Sequence, residues 1–210
     1  MTAALHSQAF GPEDFLSETG VSRETLGRLQ IYADLLARWN RAINLVGPAT
    51  LSDLWRRHML DSAQLIPLLP TRDLLTLADL GSGAGFPGLV LALCDVGEVH
   101  LIESDQKKTT FLREVLRETS TAATIHCERI ESISDLQVDV VTARALAPLA
   151  DLVAYAAPLM KPDGLCLFLK GQGIADELTR LPKALQDKCD RIPSRSDLSG
   201  CVLRLEGPLP

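Results

Sequence analysis

The residues best suited to chemistry lie in one stretch, Asp79-Leu80-Gly81-Ser82-Gly83-Ala84-Gly85-Phe86-Pro87-Gly88. Alternating glycines let a backbone turn tightly and approach a ligand closely. They follow an apolar run and precede a helical pattern, the context in which such a loop holds a cofactor. Two readings compete. Gly83, Gly85 and Gly88 fit the GxGxxG spacing of a dinucleotide site, with Glu103 placed to accept ribose hydroxyls. The second reading is an acid followed by GxGxG, the loop of an S-adenosylmethionine site. Asp79 separates them. A dinucleotide brings pyrophosphate to the helix N-terminus, and a carboxylate beside it would meet like charge. S-adenosylmethionine has no phosphate and carries an ammonium and a sulfonium, so Asp79 becomes an asset, directly or through water. Glu103 serves either ligand. Asp79, Gly81, Ser82, Gly83, Gly85 and Glu103 are the cofactor contacts expected from this segment.

The elements around the loop are read from apolar periodicity. Continuous apolar runs predict strands over 74–80, 99–103, 123–127, 138–142, 165–169 and 201–205. Between them, helices are predicted over 86–94, 107–117, 148–160 and 174–187, with Pro87 tolerated in a first turn and a turn at 161–164. Strand-helix units with continuous apolar strands predict a parallel sheet covered on both faces. Ligands in such sheets bind beyond the carboxyl ends of the strands. Before residue 71 the chain reads as helical. Ser22 caps a helix to about Trp39, Gly47-Pro48 breaks the chain, and Thr50 is placed to cap a second helix through Leu60. The expected organisation is an N-terminal helical segment, 1–70, packed on a cofactor-binding domain, 71–210, in one unit. The segment before Ser22 gives no usable signal.

Composition narrows the function classes. With 46% hydrophobic and 23% charged residues, 210 residues can build a globular core. No apolar run reaches the roughly 18 residues of a membrane span, and the first ten residues lack a basic start and an apolar stretch. A cytoplasmic location and a monomer are expected. The five cysteines are scattered with no CxxC pair, against a disulfide frame and a zinc site. The net charge of −6 argues against a broad nucleic-acid surface but leaves room for a local basic cluster.

The loop, together with Asn44-Leu45, Arg57-His58-Met59-Leu60-Asp61-Ser62, Ser104 through Lys107-Lys108 to Phe111-Leu112, Thr142-Ala143-Arg144-Ala145 and Leu169-Lys170-Gly171, resembles the GidB/RsmG family. These are methyltransferases of guanine N7 in small-subunit (16S) ribosomal RNA, and the resemblance covers roughly residues 20 to 205. The glycine loop alone is specific only to the class, whereas the RHxLDS-type segment is not required by cofactor binding. The resemblance implies an α/β, Rossmann-like fold with a seven-stranded, mostly parallel sheet, an antiparallel last strand and N-terminal helices. It implies S-adenosylmethionine as cofactor and S-adenosylhomocysteine as product. It implies cofactor contacts at Gly81, Phe86, Ile130, Glu131 and Arg144, with Phe86 packing on the cofactor and Ile130-Glu131 near the adenine; Ser104, next to Glu103, is a further expected contact.

Guanine N7 carries a lone pair and no proton, so its methylation needs no general base. Alignment and exclusion of water suffice. Arg144 is then a positioning residue, suited to guanine O6 or a phosphate. Arg56, Arg57, His58, Lys107, Lys108 and Lys170 are the expected RNA contacts, small-subunit ribosomal RNA or the subunit itself being the partner. The first three have a plainer reading. Arg56 and Arg57 equally suit a solvated helix face. His58 equally suits an anchor of the N-terminal segment, and Asp61 a helix cap or a bond to Ser62. Lys107 and Lys108 sit near a helix N-terminus, where cations are unfavourable, which points to an anion partner. Trp39 and Trp55 stand at core spacing, and Arg191, Arg195 and Arg204 read as surface charges. A small-molecule or protein methyltransferase on the same fold is the alternative, and Asp79 disfavours a nicotinamide oxidoreductase.

Overall fold

The computed structural model describes residues 10–71 and 74–209. A short helix absent from the sequence reading, α1 (Pro12–Thr19), comes first and buries Phe15, whose ring meets Trp55 at 5.5 Å. Ser22 caps α2 (Arg23–Trp39), its hydroxyl accepting from the Thr25 N–H. Leu26, Leu29, Tyr32, Leu35 and Leu36 form the buried stripe of α2. Beyond it the Asn40 side chain accepts from the Leu45 and Val46 N–H groups and pins the chain reversal.

The second N-terminal helix is not the regular one expected. It is broken into α3 (Pro48–Leu51), a π-helical turn (Trp55–Leu60) and α4 (Asp61–Ala63). Thr50 is inside α3 rather than capping a helix, and its hydroxyl donates to the Gly47 carbonyl. The wider π turn sends His58, Met59 and Leu60 inward.

The sheet has seven strands: β1 (Thr76–Leu80), β2 (Glu98–Ile102), β3 (Thr124–His126), β4 (Val138–Arg144), β5 (Met160–Lys170), β6 (Cys189–Pro193) and β7 (Cys201–Glu206). Their order is β3-β2-β1-β4-β5-β7-β6. The first five run parallel, and β7 is antiparallel to both β5 and β6. The switch point lies where β1 is flanked by β2 and β4, and its crevice opens at their carboxyl ends.

Alternate strand residues separate two cores. One face, with Leu77, Leu101 and Val140, is covered by α2, α5 (Gly88–Leu93) and α6 (Gln106–Thr119). The other, with Ala78, Val141 and Phe168, is covered by α7 (Leu149–Ala156), α8 (Ile174–Thr179) and α9 (Lys183–Gln186). Of the boundaries that differ from the sequence reading, three have an evident cause. The expected turn at 161–164 is a bulge within β5. The helix expected to reach residue 160 ends at Ala156 and tightens into a 3-10 turn containing Pro158. The helix expected over 174–187 divides at Pro182, which precedes α9. The strand β6 escaped the reading because it is an exposed edge with charges inside it.

Candidate active site

The loop after β1 owes its shape to its glycines. Gly81 and Gly83 have φ of 62° and 56°, and Gly85 102°, values that L side chains rarely adopt. A Cβ on Gly81 would stand 2.5 Å from the Leu146 side chain, and one on Gly85 3.0 Å from the Tyr32 hydroxyl. Ser82 closes the turn from within. Its hydroxyl donates to the Asp79 carbonyl and its N–H to the Ile102 carbonyl. Ser82 is buried, and both its hydroxyl and its N–H are engaged within the protein. Gly85 packs against Tyr32 of α2 and Leu89 of α5.

Glu103, just past β2, reaches back over this loop. Its Oε2 accepts from the Gly83 N–H at 2.9 Å and its Oε1 from the Asp105 N–H at 2.8 Å. Asp105 caps α6 through Oδ1, which offsets the unfavourable placement of Lys107 and Lys108 in the first turn. A cavity of about 280 Å³ opens here, lined by Gly81, Gly83, Glu103, Ser104, Ile130, Glu131, Arg144 and Ala145. Tyr155, Leu146, Arg129 and Lys108 complete its wall. Glu131 beside the Tyr155 hydroxyl raises its pKa.

Asp79 lies beneath the loop, wholly buried. Its Oδ1 accepts from the Thr142 hydroxyl at 2.9 Å, and its Oδ2 has no hydrogen-bond partner among the described residues. Burial pushes its pKa up to about 6, against the pull of the Thr142 hydroxyl and of the Ser82 hydroxyl and Gly88 N–H, which lie close to the carboxylate without a well-aligned hydrogen bond to it. A Cβ on Gly88 would stand 2.4 Å from the Asp79 Cβ, so glycine at the start of α5 is what admits the carboxylate.

Arg144, at the tip of β4, forms part of the wall of this cavity and of a second one. The second cavity, also about 280 Å³, is lined by Thr50, Arg57, His58, Asp61, Lys170, Ser196 and Asp197, together with Arg144 and Ala145. The guanidinium lies 4.7 Å from the centroid of the Phe86 ring, and its Nη1 approaches the Arg57 carbonyl at 3.3 Å and Asp61 Oδ2 at 3.4 Å. Burial lowers the Arg144 pKa, and the Asp61 carboxylate opposes that. Ala145 follows at φ 49°, a left-handed residue that turns the chain away from the strand. The Phe86 ring, expected to pack on a cofactor, is 3% exposed and in contact with Tyr32, His58 and Arg144.

The expected RNA contacts divide. His58 is buried and stacks on Phe86 at 4.8 Å. Thr50 Oγ1 spends its proton on the Gly47 carbonyl, so it accepts from His58 Nε2–H at 2.8 Å, which leaves Nδ1 unprotonated. Burial, then Arg144 and Arg57, lower the His58 pKa to about 3. The ring is neutral and buried, with Thr50 and Phe86 as its neighbours. Lys170 is also engaged within the protein. Its Nζ pairs with Glu177 at 2.7 Å and donates to the Ala147 carbonyl, with 10% of the side chain exposed. Lys108, partly exposed, lines the first cavity. Arg57 pairs with Asp197 at 2.5 Å, Arg56 lies over the Phe10 ring, and Lys107 is exposed. Asp61 neither caps α4 nor bonds Ser62. It holds Arg144, while the Ser62 hydroxyl donates to the His58 carbonyl.

Tyr155, Leu146 and the pairing of Asp61 with Arg144 were missed. The first two carry no signal in a single sequence, and the pair is 83 residues apart. Among the described residues no group of three or more His, Cys, Asp or Glu could hold a metal ion, and no helix is long and apolar enough to cross a membrane.

A family model described as GidB, rRNA small subunit methyltransferase G, matches residues 25–193. The chain is 56% identical over 195 residues to ribosomal RNA small subunit methyltransferase G of Paramagnetospirillum magneticum, covering 93% of this chain and 95% of that protein. It is 54% identical over 203 residues to the protein of the same name from Rhodospirillum centenum, covering 96% and 93%. Among solved structures, a methyltransferase from Geobacter sulfurreducens aligns with a TM-score of 0.59 over 90% of this chain and 98% of that one, at 12% identity. A precorrin-6y C5,15-methyltransferase from Geobacter metallireducens aligns at 0.51 over 79% and 92%, at 17% identity. At such identities the likeness concerns the fold alone.

Proposed function

This chain belongs to the GidB family, rRNA small subunit methyltransferase G, and from that premise we propose that it transfers a methyl group from S-adenosylmethionine to N7 of a guanine in 16S ribosomal RNA. The observation that carries the proposal is the pair of cavities that share Arg144 and Ala145 in their walls. One fits the cofactor and the other leads a base to it.

The residues of the first cavity fit a cationic nucleoside. Asp79 lies buried behind the glycine loop, outside the cavity wall, where a nearby ammonium or sulfonium would stabilise its charged form. Gly81 and Gly83 leave their side of the cavity free of side chains. Glu103 lines the cavity with carboxylate lone pairs to spare for ribose hydroxyls. Ile130 offers an apolar wall to an adenine, with Glu131 and Tyr155 at its edge. S-adenosylmethionine, when bound, supplies an electrophilic methyl group. The protein's part is to hold the guanine with N7 facing that cavity and to keep water out. Arg144 is placed to donate to guanine O6, which lies beside N7 on the same edge. Nothing needs to remove a proton from N7, so the neutral His58 takes no acid-base role. The protein acts in this reading as a cytoplasmic monomer.

The test is transfer of radiolabelled methyl from S-adenosylmethionine to small-subunit RNA, offered free and in subunits from cells lacking the enzyme. Label recovered as 7-methylguanosine at one site is expected. Label absent from both substrates, with cofactor binding intact, would redirect the search to a small-molecule or protein acceptor.

A further inference from the structure

Arg144 forms part of the wall between the two cavities, yet nothing in β4 fixes where its guanidinium lies. The side chain is held from outside the strand. Nη1 spends its protons on the Arg57 carbonyl and on Asp61 Oδ2, and the plane rests against Phe86. An arginine has five N–H donors, so this tether occupies one end of the fork and leaves Nε and Nη2 for ligands.

Asp61 is itself held firmly. Its Oδ1 accepts from the Ser196 hydroxyl at 2.5 Å and from Gln64 Nε2 at 3.0 Å. Gln64 Oε1 in turn accepts from the Arg195 N–H. Ser196 belongs to the turn between β6 and β7, and that turn lines the second cavity through Ser194, Ser196, Asp197 and Gly200. A continuous chain of contacts therefore runs from the turn, through Ser196 and Asp61, to Arg144. Both carboxylate oxygens are engaged, and the side chain is 16% exposed.

We infer that Asp61 is a positioning residue that sets the posture of Arg144 between cofactor and base, and that Ser196 makes this posture answer to whatever occupies the second cavity. The inference rests on the guanine methyltransferase reading for its turnover arm only; its cofactor-binding arm does not depend on the acceptor. Asp61→Asn keeps the shape and an acceptor for Ser196 but removes the charge that orients the guanidinium. Ser196→Ala keeps the charge and cuts the link to the turn.

The experiment is a double-mutant cycle of Asp61→Asn with Arg144→Ala. Calorimetric titration with S-adenosylmethionine gives cofactor affinity without RNA, and single turnovers on small-subunit RNA give the transfer rate. Urea midpoints check the fold of each variant. Asp61→Asn is expected to slow transfer about tenfold or more through misplacement of Arg144, with the RNA concentration for half-maximal rate unchanged. In the Arg144→Ala background it should cost nothing further, in either arm. Ser196→Ala is expected to slow transfer while leaving cofactor affinity in the absence of RNA as it was. Equal losses from Asp61→Asn with and without Arg144 would overturn the inference, as would a fall in stability with an unchanged rate. If the unmutated protein methylates no small-subunit RNA, the proposed function fails on its own, and non-additive cofactor affinities would still support the tie between Asp61 and Arg144.

Discussion

At the scale of single residues, Asp79 and His58 are ionisable groups whose burial opposes their charge, and the two make opposite predictions. Asp79 has a folded-state pKa of about 6, above its unfolded value. Its charge therefore costs stability above that pH, and the cost fades as pH falls toward 4. Asp79→Asn should stabilise the ligand-free protein at pH 7.5 by about 1–3 kcal/mol, and the gain should shrink at pH 4.5. The same change should weaken S-adenosylmethionine binding about tenfold, the scale of a lost charged hydrogen bond. Urea unfolding at the two pH values, with calorimetric titration, checks both. A variant less stable at pH 7.5 would show that the carboxylate is better satisfied than its unpaired Oδ2 implies. His58 is depressed to about 3 instead, so between roughly pH 6.5 and 3 the unfolded chain takes a proton that the folded one refuses. Stability must then drop as pH falls through that window. Between pH 7.5 and 5, the unmutated protein should lose about 2 kcal/mol more than His58→Gln. Parallel losses in the two proteins would mean that His58 protonates in place.

At the scale of elements, the question is which parts of the design a sequence can carry. The loop was legible because each glycine answers a local backbone demand, and the central strands because burial on both faces demands unbroken apolar runs. The strand β6 was not, since Cys189–Pro193 is an exposed edge whose charges interrupt any such run. Partners of charged residues were the least legible. Lys170 sits at the strand tip that topology assigned to it, but whether it meets solvent or Glu177 depends on where α8 lands. In the structure it clamps α8 and the segment before α7 to β5, because Glu177 also accepts from the Leu149 N–H. Lys170→Met should lower the unfolding midpoint and leave the salt dependence of RNA binding unchanged. Lys107→Ala, which removes an exposed cation at the start of α6, should leave stability alone and reduce the slope of log affinity against log salt by about 0.7–0.9, the share of one phosphate contact. Filter-binding titrations between low and moderate salt separate the two. A slope reduced by Lys170→Met would return that residue to the RNA surface.

At the scale of the whole molecule, the N-terminal helices are part of the cofactor domain's own core. Phe15, Leu29, Tyr32 and Leu36 share one buried cluster with Leu77, Leu89, Phe111 and Val140. Tyr32 reaches further and donates its hydroxyl to the Ala84 carbonyl at 2.5 Å inside the cofactor loop. His58 and Asp61 bring the segment after α3 to the same place through Phe86 and Arg144. A segment that covers one face of the sheet and buttresses the loop has no reason to unfold separately. The chain supplies its own probe of this, because its two tryptophans, Trp39 and Trp55, both lie before residue 71. Tryptophan emission reports the N-terminal segment alone, whereas far-ultraviolet circular dichroism reports helices and strands throughout. In urea the two transitions should coincide, the signature of a single cooperative unit. Saturating S-adenosylmethionine should move both midpoints upward by the same amount, since a ligand that binds only the native state stabilises all that unfolds with it. Emission changing at lower urea than circular dichroism, or failing to shift with cofactor, would show a segment that merely leans on the domain, and the links through Tyr32 and Asp61 would then be too weak to organise the site.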